Sequence, residues 1–201
     1  MIRNIKKVSN IRYASIRSMD ISNGEGVGVA LFVQGCPSPH CKNCFNPETW
    51  DFNGGKEWTE EIENKFIELA SRPYIKRISI LGGEPLADEN LDGVLHLVNR
   101  FRLLFPNKSI WIYTGYKIED IGFYKAINDY FAKGKDNFKT AIVKEYNNLI
   151  RQVIISQCDV LVDGRYIDSQ RDITLKWRGS KNQRVIDIQR SLQNGDIILW
   201  T

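Results

Sequence analysis

Three of the four cysteines fall within nine residues, in the run Cys36-Pro-Ser-Pro-His-Cys41-Lys-Asn-Cys44, and the fourth, Cys158, stands far away. The first residues, MIRNIKKVSNIRYASIRSMD, carry no signal-peptide apolar core, which leads to the expectation of a cytoplasmic chain. In a reducing compartment such crowding points to thiolate ligands rather than to disulfides. Three thiolates on one short loop can each hold one iron of a cubane cluster and leave the fourth iron without a protein ligand. Two other readings compete. A structural zinc ion takes four nitrogen or sulfur ligands, so His40 or the remote Cys158 would have to complete the set, and His40 is awkwardly placed beside Cys41. Buried small hydrophobes are the second, but the intervening Pro-Ser-Pro-His and Lys-Asn look like exposed loop. The triplet alone favours a cluster.

The pattern along the chain supplies a scaffold for this loop. The apolar, β-rich run VGVALFVQ over residues 27–34 predicts a buried strand that leads through Gly35 into the cysteines. Thr59 followed by Glu60 and Glu61 predicts the start of a helix that buries Ile62, Phe66, Leu69 and Ala70 and ends by Pro73. RISIL (77–81), the turn Gly82-Gly83-Glu84-Pro85, and a helix carrying Val94, Leu95, Val98, Phe101 and Phe105 make a strand-loop-helix unit. SIWIYTG (109–115) and DVLVDG (159–164) read as further strands, with helical patterns over 118–133 and 138–156 between them. The tail from Trp177 holds two β-like runs, RVIDI and DIILW, expected as edge strands or as a loop over the core. Strands alternating with helices of at least about ten residues require parallel pairing, so the expected fold class is α/β.

Composition narrows the function. With 201 residues, 42% of them hydrophobic, the chain is long enough for one ordinary domain with a sizeable core, expected to span 1–201. It has no run of about 18 uninterrupted apolar residues, so no membrane span is expected. The net charge of +4 arises from 28 basic and 24 acidic residues scattered along the chain, without the clustered basic run of a nucleic-acid footprint. Direct nucleic-acid binding is therefore not expected.

Phe32-Val-Gln-Gly-Cys36, Cys41-Lys-Asn-Cys44-Phe45-Asn46-Pro47 and Gly82-Gly83-Glu84-Pro85 together resemble the radical S-adenosylmethionine (SAM) superfamily. Ile110-Trp-Ile-Tyr-Thr-Gly-Tyr116, Asp159-Val-Leu-Val-Asp-Gly-Arg-Tyr166 and Trp177-Arg-Gly-Ser-Lys-Asn-Gln183 extend the likeness, in order, to the activating proteins of anaerobic ribonucleotide reductase. The resemblance covers roughly residues 15–118 and 157–188. The chain departs from the family pattern in two places. Cys36 and Cys41 are separated by four residues where the family usually has three, and residues 119–156 form a longer, helical insertion.

The resemblance implies a partial (β/α) barrel of parallel strands with outer helices, a cluster loop over 35–46 and a C-terminal extension over 177–201. It implies that Cys36, Cys41 and Cys44 ligate a [4Fe-4S] cluster whose open iron chelates the amino and carboxylate groups of SAM. An electron from the reduced cluster would break the sulfonium carbon–sulfur bond, giving methionine and a 5′-deoxyadenosyl radical that abstracts hydrogen from a glycine of the partner reductase. It places Gly82, Gly83 and Glu84 around the methionine part of SAM, and the segment Asn43-Cys44-Phe45 against the adenine. Each has a plainer reading: a strand-to-helix turn with Glu84 exposed, and Phe45 as a core residue anchoring the loop. Asn46 is expected to hold loop backbone, and Cys158 to be a buried structural thiol. A reduced flavodoxin is the donor the family implies. The alternatives are a radical SAM enzyme acting on another glycyl-radical enzyme or a small molecule and, more distantly, a zinc-stabilised binding module without catalysis.

Overall fold

The computed structural model describes residues 7–121 and 138–201. In chain order these residues form β1 (Lys7–Asp20), β2 (Gly28–Val33), β3 (Lys56–Thr59), α1 (Glu60–Ser71), β4 (Arg77–Gly82), α2 (Leu91–Leu104), β5 (Ser109–Tyr113), α3 (Phe138–Ser156), β6 (Val160–Asp163), β7 (Arg184–Asp187) and α4 (Ile188–Asn194). The strands make one mixed sheet in the order β3-β1-β2-β4-β5-β6-β7. Its four central strands, β2, β4, β5 and β6, run parallel, as the alternation of strands and helices predicts. β1, β3 and β7 pair antiparallel and occupy the two sides. The fold is α/β.

The period of two along the central strands sorts their side chains between two environments. Val29, Leu31 and Val33 of β2, Ile78 and Ile80 of β4 and Ile110 and Ile112 of β5 join Phe66, Val94, Val98, Phe101 and Ile154 from the helices in the main core. The alternate residues face the opposite side, with Ala30, Phe32 and Leu81 in one cluster and Trp111, Val160 and Val162 in another, against Trp177 and Trp200. Both faces are therefore covered, which explains why β2 reads as a continuous apolar run rather than an alternating one.

A charged network sits on that second side. Arg77 is fully buried and donates from Nη2 to Asp20 Oδ1 (2.9 Å) and to the Asp20 carbonyl (3.0 Å), and from Nε to the Glu25 carbonyl (3.1 Å). Asp20 also accepts from the Asn23 backbone and amide, so both ions are fully engaged with protein groups. The network fastens the end of β1 and the turn after it across the start of β4. A Cβ on Gly24 would stand 2.6 Å from Arg77 Nε, and one on Gly28 2.5 Å from Nη1, so the guanidinium occupies space that only glycine leaves.

The helix starting at Glu60 is capped by Thr59, whose hydroxyl accepts from the Ile62 N–H at 3.3 Å, and Cys158 is buried at the foot of β6. The strands β1 and β3 and the helix α4 were not among the expected elements. β1 is long, polar on one side and interrupted by register shifts against both neighbours, so it carries no clean alternation. Of the tail, the first four residues of RVIDI form β7 and its last, Ile188, starts α4, while Leu199 makes an isolated bridge to Ile186. The helical pattern expected over 118–133 falls mostly outside the described residues; at its start, 118–121 form a turn. Among the described residues no helix is long and apolar enough to cross a membrane.

Asp20→Ala leaves Arg77 buried without its ion partner and should lower unfolding stability by about 3–5 kcal/mol in urea titrations. The double variant Asp20→Leu with Arg77→Met removes both charges and should lose less than either single change. A larger loss in the double variant would contradict this account.

Candidate functional site

The parallel strands β2, β4, β5 and β6 all deliver their C-terminal ends to one edge of the sheet, where ligands of parallel sheets usually bind. Gln34-Gly35-Cys36 leaves β2, Gly83-Glu84 leaves β4, Thr114-Gly115 leaves β5 and Gly164-Arg165 leaves β6. These ends line a cavity of about 860 Å³, large enough for a cofactor-sized ligand. Cys36, Cys41 and Cys44 line it as free thiols, together with Phe45, Gly82, Gly83 and Glu84. The residues expected to act together are thus gathered around one space. Asn43 is the exception: it stands beside the cavity, with its amide donating outward to Asp168 Oδ2 (2.9 Å).

The loop that carries the cysteines is clamped at its base. The Gly35 and Cys36 N–H groups donate to the carbonyls of Thr49 (2.8 Å) and Trp50 (3.0 Å), so the chain leaves β2 and returns beside itself. The turn after β4 then crosses this base at backbone distance. Gly83 N–H donates to the Val33 carbonyl (2.9 Å) and Glu84 N–H to the Gly35 carbonyl (2.7 Å). A Cβ on Gly83 would stand 2.2 Å from the Gly35 oxygen, and one on Gly82, whose φ is +109°, 2.8 Å from Phe32 Cα. The need for two successive glycines is therefore set first by the protein's own backbone. Gln34 and Asn90 complete the clamp: the Gln34 amide donates to the Glu48 carbonyl, and the Asn90 amide donates to the carbonyls of both Gln34 and Glu84.

Glu84 is buried, not exposed as an isolated turn would leave it. Its carboxylate accepts from the Leu86 N–H (2.9 Å), the Thr114 hydroxyl (2.7 Å) and the Gly115 N–H (2.7 Å), tying the ends of β4 and β5 together. Burial pushes the carboxyl above its usual range, while the Gly115, Thr114 and Leu86 donors and the Arg151 charge oppose the rise.

Within the loop, His40 stacks flat on Trp50 with 4.1 Å between ring centres, and its Nε2 lies 3.0 Å from the Cys36 carbonyl, which it meets as a donor. Both contacts hold His40 to the loop. Among the described residues no three His, Cys, Asp or Glu side chains converge where one ion could be held. Thiolates sharing one zinc ion would stand about 3.8 Å apart, whereas a cubane distributes its cysteines over different irons and needs no such convergence. Burial, and then the negative charge of Glu84, Cys41 and Cys44, pushes the Cys36 thiol up to about 11, with Arg165 acting in the opposite sense. All three cysteines line the wall of the same cavity. Asn46 N–H points at Cys44 Sγ (3.5 Å), a contact that would stabilise a thiolate. This donor set fits an iron–sulfur cluster better than a single zinc ion.

One wall had no functional assignment from the sequence. The segment between β6 and β7 folds over the cysteine loop and contributes Arg165, Tyr166, Arg171, Leu175 and Trp177 to the cavity. Phe45 packs against Tyr166 (ring centres 4.9 Å apart), with the Arg171 guanidinium 5.4 Å from its ring. Tyr166 donates to Asp168, the residue that also accepts from Asn43. Phe45 nevertheless remains half exposed, so it anchors the loop while keeping ring surface free. The sequence displays this segment through the motifs at 159–166 and 177–183, whose resemblance to the family assigns no role and whose spacing gives no hint of the loop they meet.

Comparison with known proteins agrees with the site. The family described as "4Fe-4S single cluster domain" matches residues 22–186. The anaerobic ribonucleoside-triphosphate reductase-activating protein of Vibrio cholerae is 35% identical over 175 residues, 86% of this chain and 96% of its own length. The protein of the same name from Escherichia coli K12 is 33% identical over 177 residues, covering 87% and 97%. That of enterobacteria phage T4 is 31% identical over 177 residues, covering 87% and 93%. A cysteine loop set over a cavity at the carboxyl edge of the sheet, together with likeness along most of both sequences, shows that the chain belongs to the family of anaerobic ribonucleoside-triphosphate reductase-activating proteins, built on a 4Fe-4S single cluster domain.

Proposed function

We propose that this protein is a radical SAM activase that cleaves SAM reductively and generates a glycyl radical on anaerobic ribonucleoside-triphosphate reductase. The observation that carries this reading is the placement of three free cysteines and the Gly82-Gly83-Glu84 turn around one cavity, in a chain whose relatives bear that activating name. Cys36, Cys41 and Cys44 would hold the [4Fe-4S] cluster. When bound, the cluster supplies one electron to the sulfonium of SAM, which yields methionine and the 5′-deoxyadenosyl radical.

The remaining roles belong to the chain's own residues. Gly82 and Gly83, with no side chains, open the floor of the cavity beside Cys36, where the methionine part of SAM would lie. Glu84 holds this turn against β5 through three accepted hydrogen bonds and adds negative charge suited to an ammonium group. The segment Asn43-Cys44-Phe45 would meet the adenine, with the free surface of the Phe45 ring available for stacking. The parallel strands and their outer helices act as the partial (β/α) barrel of radical SAM enzymes, in a single domain over 1–201 that includes the insertion 119–156 and the extension 177–201. The protein works in the cytoplasm, with a reduced flavodoxin as electron donor.

Cys36→Ala, Cys41→Ala or Cys44→Ala should abolish 5′-deoxyadenosine formation after dithionite reduction, whereas Cys158→Ala, remote and buried, should retain it. Product at wild-type level from any of the first three would remove that residue from the ligand set. Anaerobic mixing with the reductase, SAM and a reductant should give the electron paramagnetic resonance doublet of a protein glycyl radical. Abundant 5′-deoxyadenosine without that signal would point to a different substrate.

The electrostatics of the loop give a further check. A thiol reacts as its thiolate, so raising the Cys36 thiol to about 11 slows its reaction at neutral pH. In metal-free protein at pH 8, iodoacetamide should label Cys36 at least about tenfold more slowly than an unperturbed cysteine, with the rate climbing until the pH approaches 11. Peptide mass spectrometry resolves the rates, and an ordinary thiol profile at Cys36 would contradict the geometry. Glu84→Gln turns an amide donor toward N–H groups that need an acceptor, and should weaken SAM binding about tenfold or more while iron content stays unchanged.

A further inference from the structure

Arg165 is the first residue beyond the turn that ends β6, and its side chain, although exposed, is tied to the cysteine loop. It passes Gly115, where a Cβ would stand 3.4 Å from Arg165 Cγ and 3.3 Å from Glu84 Oε2, and its Nη2 donates to the carbonyl of Pro39. Pro39 lies midway between Cys36 and Cys41, in the stretch that carries one residue more than the family usually has. The Arg165 carbonyl accepts from the Asn182 amide (2.8 Å), so the residue is fixed at its main chain as well as at its tip. Among the described residues no carboxylate forms an ion pair with Arg165, so its charge is not neutralised by a neighbour.

The other guanidinium groups lining the cavity lie on aromatic rings or a backbone carbonyl, that of Arg171 on a ring of the same loop. Arg17 lies over the Phe32 ring (4.5 Å), Arg171 over the Phe45 ring (5.4 Å), and Arg178 donates to the Gln183 carbonyl (2.6 Å). The cavity wall around Cys36 also carries the acidic side chains of Glu84, Cys41 and Cys44. A cluster on these thiolates would acquire one more negative charge on reduction, among groups that already repel it. Cluster potentials are set by such local charge, hydrogen bonding to the sulfurs and exposure.

We propose that Arg165 is a positioning residue that raises the reduction potential of the cluster held by Cys36, Cys41 and Cys44, by fixing a permanent positive charge against the loop that carries them. The inference rests on the cluster reading of the site. The step concerned is the transfer of one electron from an external low-potential one-electron donor to the oxidised cluster, with no bond formed and no proton moved. Arg165 favours the reduced product by opposing its added charge, and its bond to Pro39 keeps that charge in place on the longer loop.

The test is an anaerobic potentiometric titration, without SAM, of the reconstituted full chain and of its Arg165→Gln and Arg165→Lys variants, followed by electron paramagnetic resonance of the reduced cluster. At the wild-type midpoint the ratio of reduced to oxidised cluster should fall about tenfold in Arg165→Gln, about 59 mV for a one-electron couple. Arg165→Lys, which keeps the charge, should stay close to wild type. A midpoint in Arg165→Gln equal to wild type would overturn the proposal, as would a loss of SAM affinity with no change in potential, which would make Arg165 a ligand contact. Failure of both variants to hold iron, with unchanged circular dichroism, would also overturn it, since Arg165 would then build the loop rather than tune its charge. Wild-type protein that takes up no iron would refute the cluster reading itself, and is distinguishable from all of these.

Discussion

The site depends on two stretches of backbone crossing with no side chain between them. Where the turn after β4 passes over the base of the cysteine loop, Gly83 lies so close to the Gly35 carbonyl that a Cβ would stand 2.2 Å from it. Glu84 N–H bonds to that same carbonyl. Contact at this distance fixes the cysteines relative to the floor of the cavity. The Glu84 carboxylate extends the fastening to β5, and Asn90 bonds to the carbonyls on either side of the crossing. A loop held this way is preorganised, which matters where a cofactor must be placed to a fraction of an ångström.

Around that crossing the protein gathers the acidic groups of Glu84 and the three cysteines. Burial favours the neutral Cys36 thiol in the metal-free protein, so binding iron there must displace its proton, and the bound metal supplies the positive charge that the chain mostly withholds. The segment between β6 and β7 closes the remaining side, meeting the loop through Phe45 on Tyr166, Asn43 on Asp168 and Arg165 on Pro39. Sheet, loop and covering segment are therefore mechanically one unit, and the second network, Arg77 with Asp20, braces the opposite end of the same strands.

The parts legible in the sequence were those governed by short-range rules. Continuous apolar runs marked β2, β4, β5 and β6, Thr59 with two glutamates marked the start of α1, and the crowding of Cys36, Cys41 and Cys44 marked the site. What escaped were features set by distant partners. β1 owes its existence to pairing with β2 and β3 across register shifts, and its own sequence lacks alternation. The burial of Glu84 depends on donors some 30 residues away in Thr114 and Gly115, so the tetrapeptide alone suggested an exposed turn. Arg165 reaches across 126 residues to Pro39, a contact that no local pattern encodes.

The central claim is that three thiolates leave one iron of a cluster open to SAM. Electron paramagnetic resonance of the anaerobically reconstituted, dithionite-reduced protein, recorded with and without SAM, addresses it directly. The account predicts about four irons per chain and a reduced-cluster signal whose g values shift when SAM is added, because the ligand enters the iron's coordination sphere. Zinc in place of iron, or a cluster signal indifferent to SAM, would contradict it.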